Sequence, residues 1–313
     1  MKKQLALLAA IGTVASAFAM PAAAEFPEKP IRVIVPWGAG GDSDLTTRVW
    51  ADAVEKILGV PVAVVNKAGG TGVIGTTEVV NAKPDGYTLV NAGLSNVQVT
   101  PNFSQVSYDF DSFTPVVKLS AVPLGLLVGK DSPYNSFEEF VQGAKDKRLT
   151  QGSWGAASSG TILASIVARQ AGYTVDYVHA NTTAESMVSL IGGHIDSAVS
   201  FPPAFEPHLK SGSARLLVVN KKSDQFHGVP SFADFGINGD FEGWSGIFAP
   251  KGVPQEVVDK LVEASAQAMQ DPQVVKAFEN IGAEVDFRHG DEWVADMRDT
   301  YGMMAEAAAE MRK

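Results

Sequence analysis

The chain has 313 residues, 45% of them hydrophobic, no cysteine, and a formal net charge of −10. That length suits about two domains, and the missing cysteine excludes disulfides and a lipid on an N-terminal cysteine. An acidic balance argues against a nucleic-acid partner, which needs a basic surface.

Residues 1–24 read as a secretory leader. Lys2 and Lys3 precede the apolar run LALLAAIGTVASAFA (5–19), and Ala22, Ala23 and Ala24 offer small residues before Glu25. The apolar run is shorter than the roughly 20 residues a membrane span needs. Loss of the leader removes two lysines and leaves a net charge of −12. A soluble exported protein, most simply periplasmic and monomeric, is expected. Any anion it binds must be held by local donors against the global field.

The predicted elements then alternate. IRVIV (31–35) is a strand, and 44–58 a helix with Leu45, Val49, Ala53 and Ile57 at four-residue spacing, stopped by Gly59. VPVAVVN (60–66) is a second strand, 73–82 a helix, PDG (84–86) a turn, and YTLVNA (87–92) a third strand. SAVPLGLLVG (120–129) reads as one strand opening a new cycle. Ser136 with Glu139, and Thr182 with Glu185, are capping boxes. A helix at 160–171 and strands at 150–155, 175–178, 195–200 and 214–220 follow; 253–271 and 291–311 are helical. This alternation implies mainly parallel, doubly wound sheets. Two such halves suit two lobes around a cleft, with ligand at the carboxyl ends of strands.

Three loops carry candidate chemistry. In VPWGAGGDSD (35–44), glycines after a strand let backbone approach a ligand, and Asp42, Ser43 or Asp44 can cap the helix. Free N–H groups of the first turn favour an anion, although a plain strand–helix turn has the same composition. Trp37 is a core residue or a lid over an apolar ligand body, and Asp44 with Arg48 is an i,i+4 ion pair. GTGVIG (70–75) matches a dinucleotide fingerprint, but no acid stands near Asn91, about 20 residues on. SWGAASSGT (153–161) repeats the logic of the first loop, with hydroxyls at Ser158, Ser159 and Thr161; an N-cap explains only one of them. Together the first and third loops would form a pincer.

Catalytic patterns fail. GLSNV (93–97) lacks the second glycine of a nucleophile elbow. The histidines at 179, 194, 208, 227 and 289 show no H-x-x-x-H pair, which gives a metal site little support. His179 follows a strand and is a candidate ligand contact. Neither enzyme activity, cofactor nor metal is expected.

The stretches FPEKPIRVIVPWGAGGDSD, VVNKAGGTGVIGTTEVVNAKPDGYTL, LIGGHIDSAVS, GWSGIFAPKGVPQEVVDKL and MQDPQVVKAFENIGAE span nearly the whole chain after the leader. They resemble the substrate-binding proteins of tripartite tricarboxylate transporters, the TctC or Bug family. The resemblance implies a type II periplasmic binding fold, α/β in class, with two doubly wound lobes around a central cleft. We expect lobe 1 at 25–120 and 245–313, and lobe 2 at 121–244. It also implies a small carboxylate ligand, delivered to membrane subunits of the transporter. Carried over, the contacts are residues 37–44 (with Trp37, Ala39, Gly41, Asp42 and Ser43), Ser95 and Asn96, and Ala157, Ser158, Ser159 and Thr161.

Departures cluster near the expected cleft. Where the family reads close to V-P-Y-K-G, this chain has Val178, His179, Ala180, Asn181 and Thr182. Ser200 and Phe201 stand where an acidic residue and Asn are common, Ser158 replaces a glycine, and Leu163 and Ala164 occupy the place of a histidine. His179, Asn181, Ser200 and Phe201 therefore join the candidate contacts, with Trp37, Trp154 and Phe201 suited to an aromatic or aliphatic ligand body. A di-, tri- or aromatic carboxylate fits this set. A periplasmic sensor using the same lobes, and an exported hydrolase or dinucleotide enzyme, are the alternatives.

Overall fold

The structure is a computed structural model that describes residues 26–222, 226–238 and 243–311. The proposed leader lies outside the described residues. No described helix is long and apolar enough to cross a membrane.

The first sheet has six strands. β1 (Ile31–Val35) lies between β2 (Val62–Asn66) and β3 (Thr88–Gly93), parallel to both. Residues 31 and 33–35 are buried, as in a central strand covered on both faces. The other half of the sheet is antiparallel: β3 pairs with β10 (Gly243–Pro250), β10 with β4 (Phe113–Val122), and β4 with β11 (Glu284–Arg288). The second sheet runs β7 (Val175–Ala180), β6 (Leu149–Trp154), β8 (Ser197–Ser200), β5 (Gly125–Gly129), β9 (Ala214–Val219). β6 is parallel to β7 and β8, and β5 is antiparallel to β8 and β9.

The sheets are thus mixed rather than mainly parallel, for one topological reason. Each receives, beside its third parallel strand, the strand that arrives from the other sheet: β10 in the first and β5 in the second. The run 120–129 is correspondingly two strands, split at Pro123 and Leu124, where the chain leaves one sheet for the other. A proline cannot donate to a ladder, which favours the break there. The second crossing follows β9. Asn220 stitches the two: its N–H donates to Leu124 O (2.8 Å), and its Oδ1 accepts from Leu124 N–H (2.7 Å).

Helices cover both faces of each sheet. On the first, α1 (Asp42–Leu58), α8 (Gln255–Met269) and α9 (Pro272–Asn280) bury Trp50, Leu261 and Phe278 against β1, β4 and β10. Trp50 Nε1 donates to Ser265 Oγ at 3.0 Å within that core. α2 (Val73–Val80) and α10 (Gly290–Met311) cover the opposite face, around Phe113, Phe248 and Trp293. On the second sheet, α4 (Phe137–Asp146) and α5 (Ser159–Ala171) bury one face, α6 (Thr183–Ile191) and α7 (Pro202–Lys210) the other. The remaining helix, α3 (Thr100–Phe103), extends a π-helical turn at Ser95–Val99.

The buried face of α1 differs in phase from the sequence expectation. Thr46, Thr47, Trp50, Ala53 and Val54 are buried, while Leu45, Val49 and Ile57 are only half-buried. The threonines satisfy their hydroxyls locally, Thr46 on Asp42 O (2.8 Å) and Thr47 on Ser43 O (2.5 Å), so they enter the core as small apolar residues.

Candidate functional site

Four strand ends, drawn from both sheets, meet at one cavity. Trp37, Gly41, Asp42 and Ser43 follow β1; Trp154 ends β6; Asn181, Thr182 and Thr183 follow β7; Phe201 follows β8. These are carboxyl ends of parallel strands, where open α/β sheets place their ligands. The first turns of α1 and α6 both reach the cavity wall. Gly41 caps α1 without a side-chain bond, which leaves first-turn N–H groups for other partners. Trp154 and Phe201 pack at 4.7 Å between ring centroids and form an aromatic wall.

The first loop is held by Asp44. Its carboxylate accepts from Gly40 N–H (2.9 Å), Arg48 Nε (2.9 Å) and Asn66 Nδ2 (2.9 Å), and Asn66 Nδ2 also reaches Trp37 O (3.1 Å). Burial pushes its pKa up, but these donors and the Arg48 charge win and hold Asp44 below the usual carboxylate range. Asp44 with Arg48 is therefore an ion pair, as its spacing suggests, and it also fixes the loop.

Asp42, two residues earlier, has the opposite environment. Its side chain is buried, its Oδ1 has no hydrogen-bond partner among the described residues, and desolvation raises its pKa to about 7. The helix N-terminus favours its charged form by ~0.3–1 kcal/mol at most surface sites, too little to offset burial.

Across the cavity the two halves touch. A Cβ on Gly38 would lie 2.6 Å from Thr182 Cγ2, so the close approach of these loops requires glycine there. Ser159 N–H donates to Ser95 Oγ (2.9 Å), the two hydroxyls lie 2.9 Å apart, and Thr100 Oγ1 donates to Ala157 O (3.3 Å). The cavity itself holds about 30 Å³, room for roughly two waters.

Of the sequence candidates, Trp37, Gly41, Asp42, Ser43, Asn181 and Phe201 line this cavity. Ala39 is exposed on the same loop. Ser95, Ala157 and Ser159 form the seam just described. Asn96 donates to Thr76 Oγ1 (3.0 Å), Ser158 caps α5 by accepting from Thr161 N–H (3.2 Å), and Thr161 Oγ1 donates to Gly155 O (2.8 Å). His179 is exposed, with Nδ1 3.4 Å from Ser153 Oγ. Ser200 is buried beside the cavity, its Oγ unpartnered among the described residues. Thr183 is a lining residue the site reading passed over; its signal was the capping box, which marks the helix start after β7 as surely as the glycines mark that after β1.

A larger groove of about 1650 Å³ lies beside the chain crossings. Among the described residues none of the expected ligand loops lines it, and most of its charges are paired, Lys210 with Glu206 and Lys222 with Asp234 (both at 2.7 Å) and Arg288 with Asp286 (2.8 Å). Pairing leaves it poor in charge to offer a ligand, so the smaller cavity is the better candidate.

Fold and cavity have the form of a two-lobed solute-binding protein of the periplasmic type. The family model described as "Tripartite tricarboxylate transporter family receptor" (TctC) matches residues 46–307, and the chain belongs to that family. It is 35% identical to the UPF0065 protein in gbd 5' region of Cupriavidus necator, over 81% of this chain and 80% of that one. It is 30% identical to BugT of Bordetella pertussis, over 88% of each. A solved periplasmic transporter superposes with TM-score 0.87 at 28% identity, covering 91% of this chain and 98% of that one. MatC of Rhodopseudomonas palustris, solved with bound malate, superposes with TM-score 0.83 at 25% identity, covering 90% of this chain and all of that one. The fold is the type II arrangement expected, and family members are periplasmic binding proteins.

Proposed function

We propose that this chain is an exported receptor that captures a small organic carboxylate between its lobes and delivers it to a membrane transporter of the tripartite tricarboxylate type. The lobes are 25–120 with 245–313, and 121–244; the membership of the two sheets supports this division. The observation that carries the reading is the convergence of two helix N-termini and an aromatic wall on one cavity at four strand ends. Helix N-termini supply the positive end of a dipole, so an acidic protein can hold an anion without a cationic pocket. Malate in MatC supports the carboxylate class.

Capture is a two-state closure. Ligand contacts to both lobes stabilise the closed arrangement, and only this differential affinity shifts the population. The seam at Ser95 and Ser159 and the Gly38–Thr182 contact open to admit ligand, with Asn220 and Leu124 at the hinge. No bond is made or broken. A thermal-shift panel of mono-, di-, tri- and aromatic carboxylates tests this. A ligand at 100 times its Kd adds about 2.7 kcal/mol of stability. A response to amino acids or sugars with none to any carboxylate would refute the class.

A further inference from the structure

Among the described residues, three buried polar atoms at or beside the cavity have no hydrogen-bond partner: Asp42 Oδ1, Thr183 Oγ1 and Ser200 Oγ. Their residues are 7%, 6% and 0% exposed. Unpaired buried polar groups are costly and rare. Asp42 is the extreme case, because no hydrogen bond or ion pair among the described residues uses its side chain. Gly41, not Asp42, occupies the cap of α1, Asp44 holds the loop, and Thr46 takes only the Asp42 backbone carbonyl. Thr183 Oγ1 approaches from the other lobe, 3.6 Å from where a Cβ on Gly41 would stand. A carboxyl oxygen accepts, and a hydroxyl can accept or donate. The pair is a receptor for a polar group that comes with the ligand.

We propose that Asp42 is a specificity residue that accepts a hydrogen bond from a hydroxyl or ammonium on the ligand carbon next to the bound carboxylate, with Thr183 Oγ1 completing the pair. This rests on the carboxylate reading above. The position on the ligand follows from reach: the first-turn N–H groups that hold the carboxylate belong to the same residues whose side chains would meet the donor. The raised pKa of Asp42 reflects the same lack of a partner, and a cationic or neutral donor relieves it where a bare methylene does not. Sites built to hydrogen-bond a substituent discriminate strongly against analogues that lack it.

Calorimetric titration with matched sets tests this: succinate, malate and aspartate; glutarate, 2-hydroxyglutarate and glutamate; phenylacetate, mandelate and phenylglycine. In the set that binds, the hydroxy or amino member should bind at least tenfold more tightly than the unsubstituted one. Asp42→Ala should bring that ratio to within threefold while the unsubstituted member still binds. Asp42→Asn separates the two donors, because Asn accepts but carries no charge: a hydroxyl preference should survive in part and an ammonium preference should vanish. Thr183→Val, a second and smaller lesion, should reduce the ratio without abolishing it. Equal binding within a set, or a preference that survives Asp42→Ala, overturns the inference and leaves the carboxylate reading standing. Failure of every carboxylate in the panel overturns both.

Discussion

Replacing Asp42 by Asn should make the stability of the ligand-free protein less dependent on pH. Burial raises the Asp42 pKa from its ordinary 3.8 to about 7. In the unfolded chain the side chain is solvated and titrates near its ordinary value. Between these two values the folded state holds a proton that the unfolded state has released. Stability therefore falls as pH rises through this window, levels off above about 7, and is highest with respect to this group below about 4. At about 1.4 kcal/mol per pKa unit, the difference across the window is at most about 4.5 kcal/mol, and less where water reaches the group. Asn cannot ionise. Urea denaturation of both proteins at several pH values should show Asp42→Asn gaining on the wild type by about 2–4 kcal/mol between pH 4 and pH 8. Any fixed cost of burying an amide cancels in that comparison. Asp44, whose lowered pKa contributes stability that is lost as pH falls, is common to both proteins and also cancels. A gap between the two curves that stays constant from pH 4 to pH 8 would refute the reasoning.

Other outcomes test the structure around the site. Gly38→Ala should force the lobes apart, because its methyl meets Thr182 Cγ2; ligand affinity should fall at least tenfold, and Thr182→Ser in the same chain should restore most of it by removing that methyl. Ser265→Ala removes the acceptor of Trp50 Nε1 in a buried position and should cost about 1–3 kcal/mol by chemical denaturation. Asn220→Ala leaves the Leu124 N–H without its acceptor; it should cost about 1–3 kcal/mol, and hydrogen exchange at Leu124 should rise selectively.

The legible parts of the sequence were those with punctuation. Glycine-rich turns, capping boxes and short β-branched runs located most of the strands and the helices that follow them, because each signal fixes backbone geometry locally. Packing decided what remained. The α1 stripe was misphased because Thr46 and Thr47 look polar in sequence but satisfy themselves on the backbone behind them. The crossing at Pro123 was hidden inside a continuous apolar run, since both strands it joins are buried. β10, β11 and α9 escaped because their roles depend on the return of the chain to the first sheet, a long-range event with no local mark. At the site, the loop after β1 was readable from its glycines and caps. The contribution of Thr183 was not, because only the approach of one loop to another shows that its hydroxyl lacks a partner.

The central claim is that ligand sits at the four strand ends and not in the larger groove by the crossings. Calorimetric titration of the best panel carboxylate into three proteins tests this: wild type, Ser43→Glu and Lys210→Glu. Ser43 lines the cavity in the first turn of α1, where an added carboxylate suits the helix but opposes an anion; Lys210 lines the groove. The account predicts one site per chain, weakened at least 100-fold by Ser43→Glu and unchanged by Lys210→Glu. Normal binding by Ser43→Glu with loss in Lys210→Glu would contradict it.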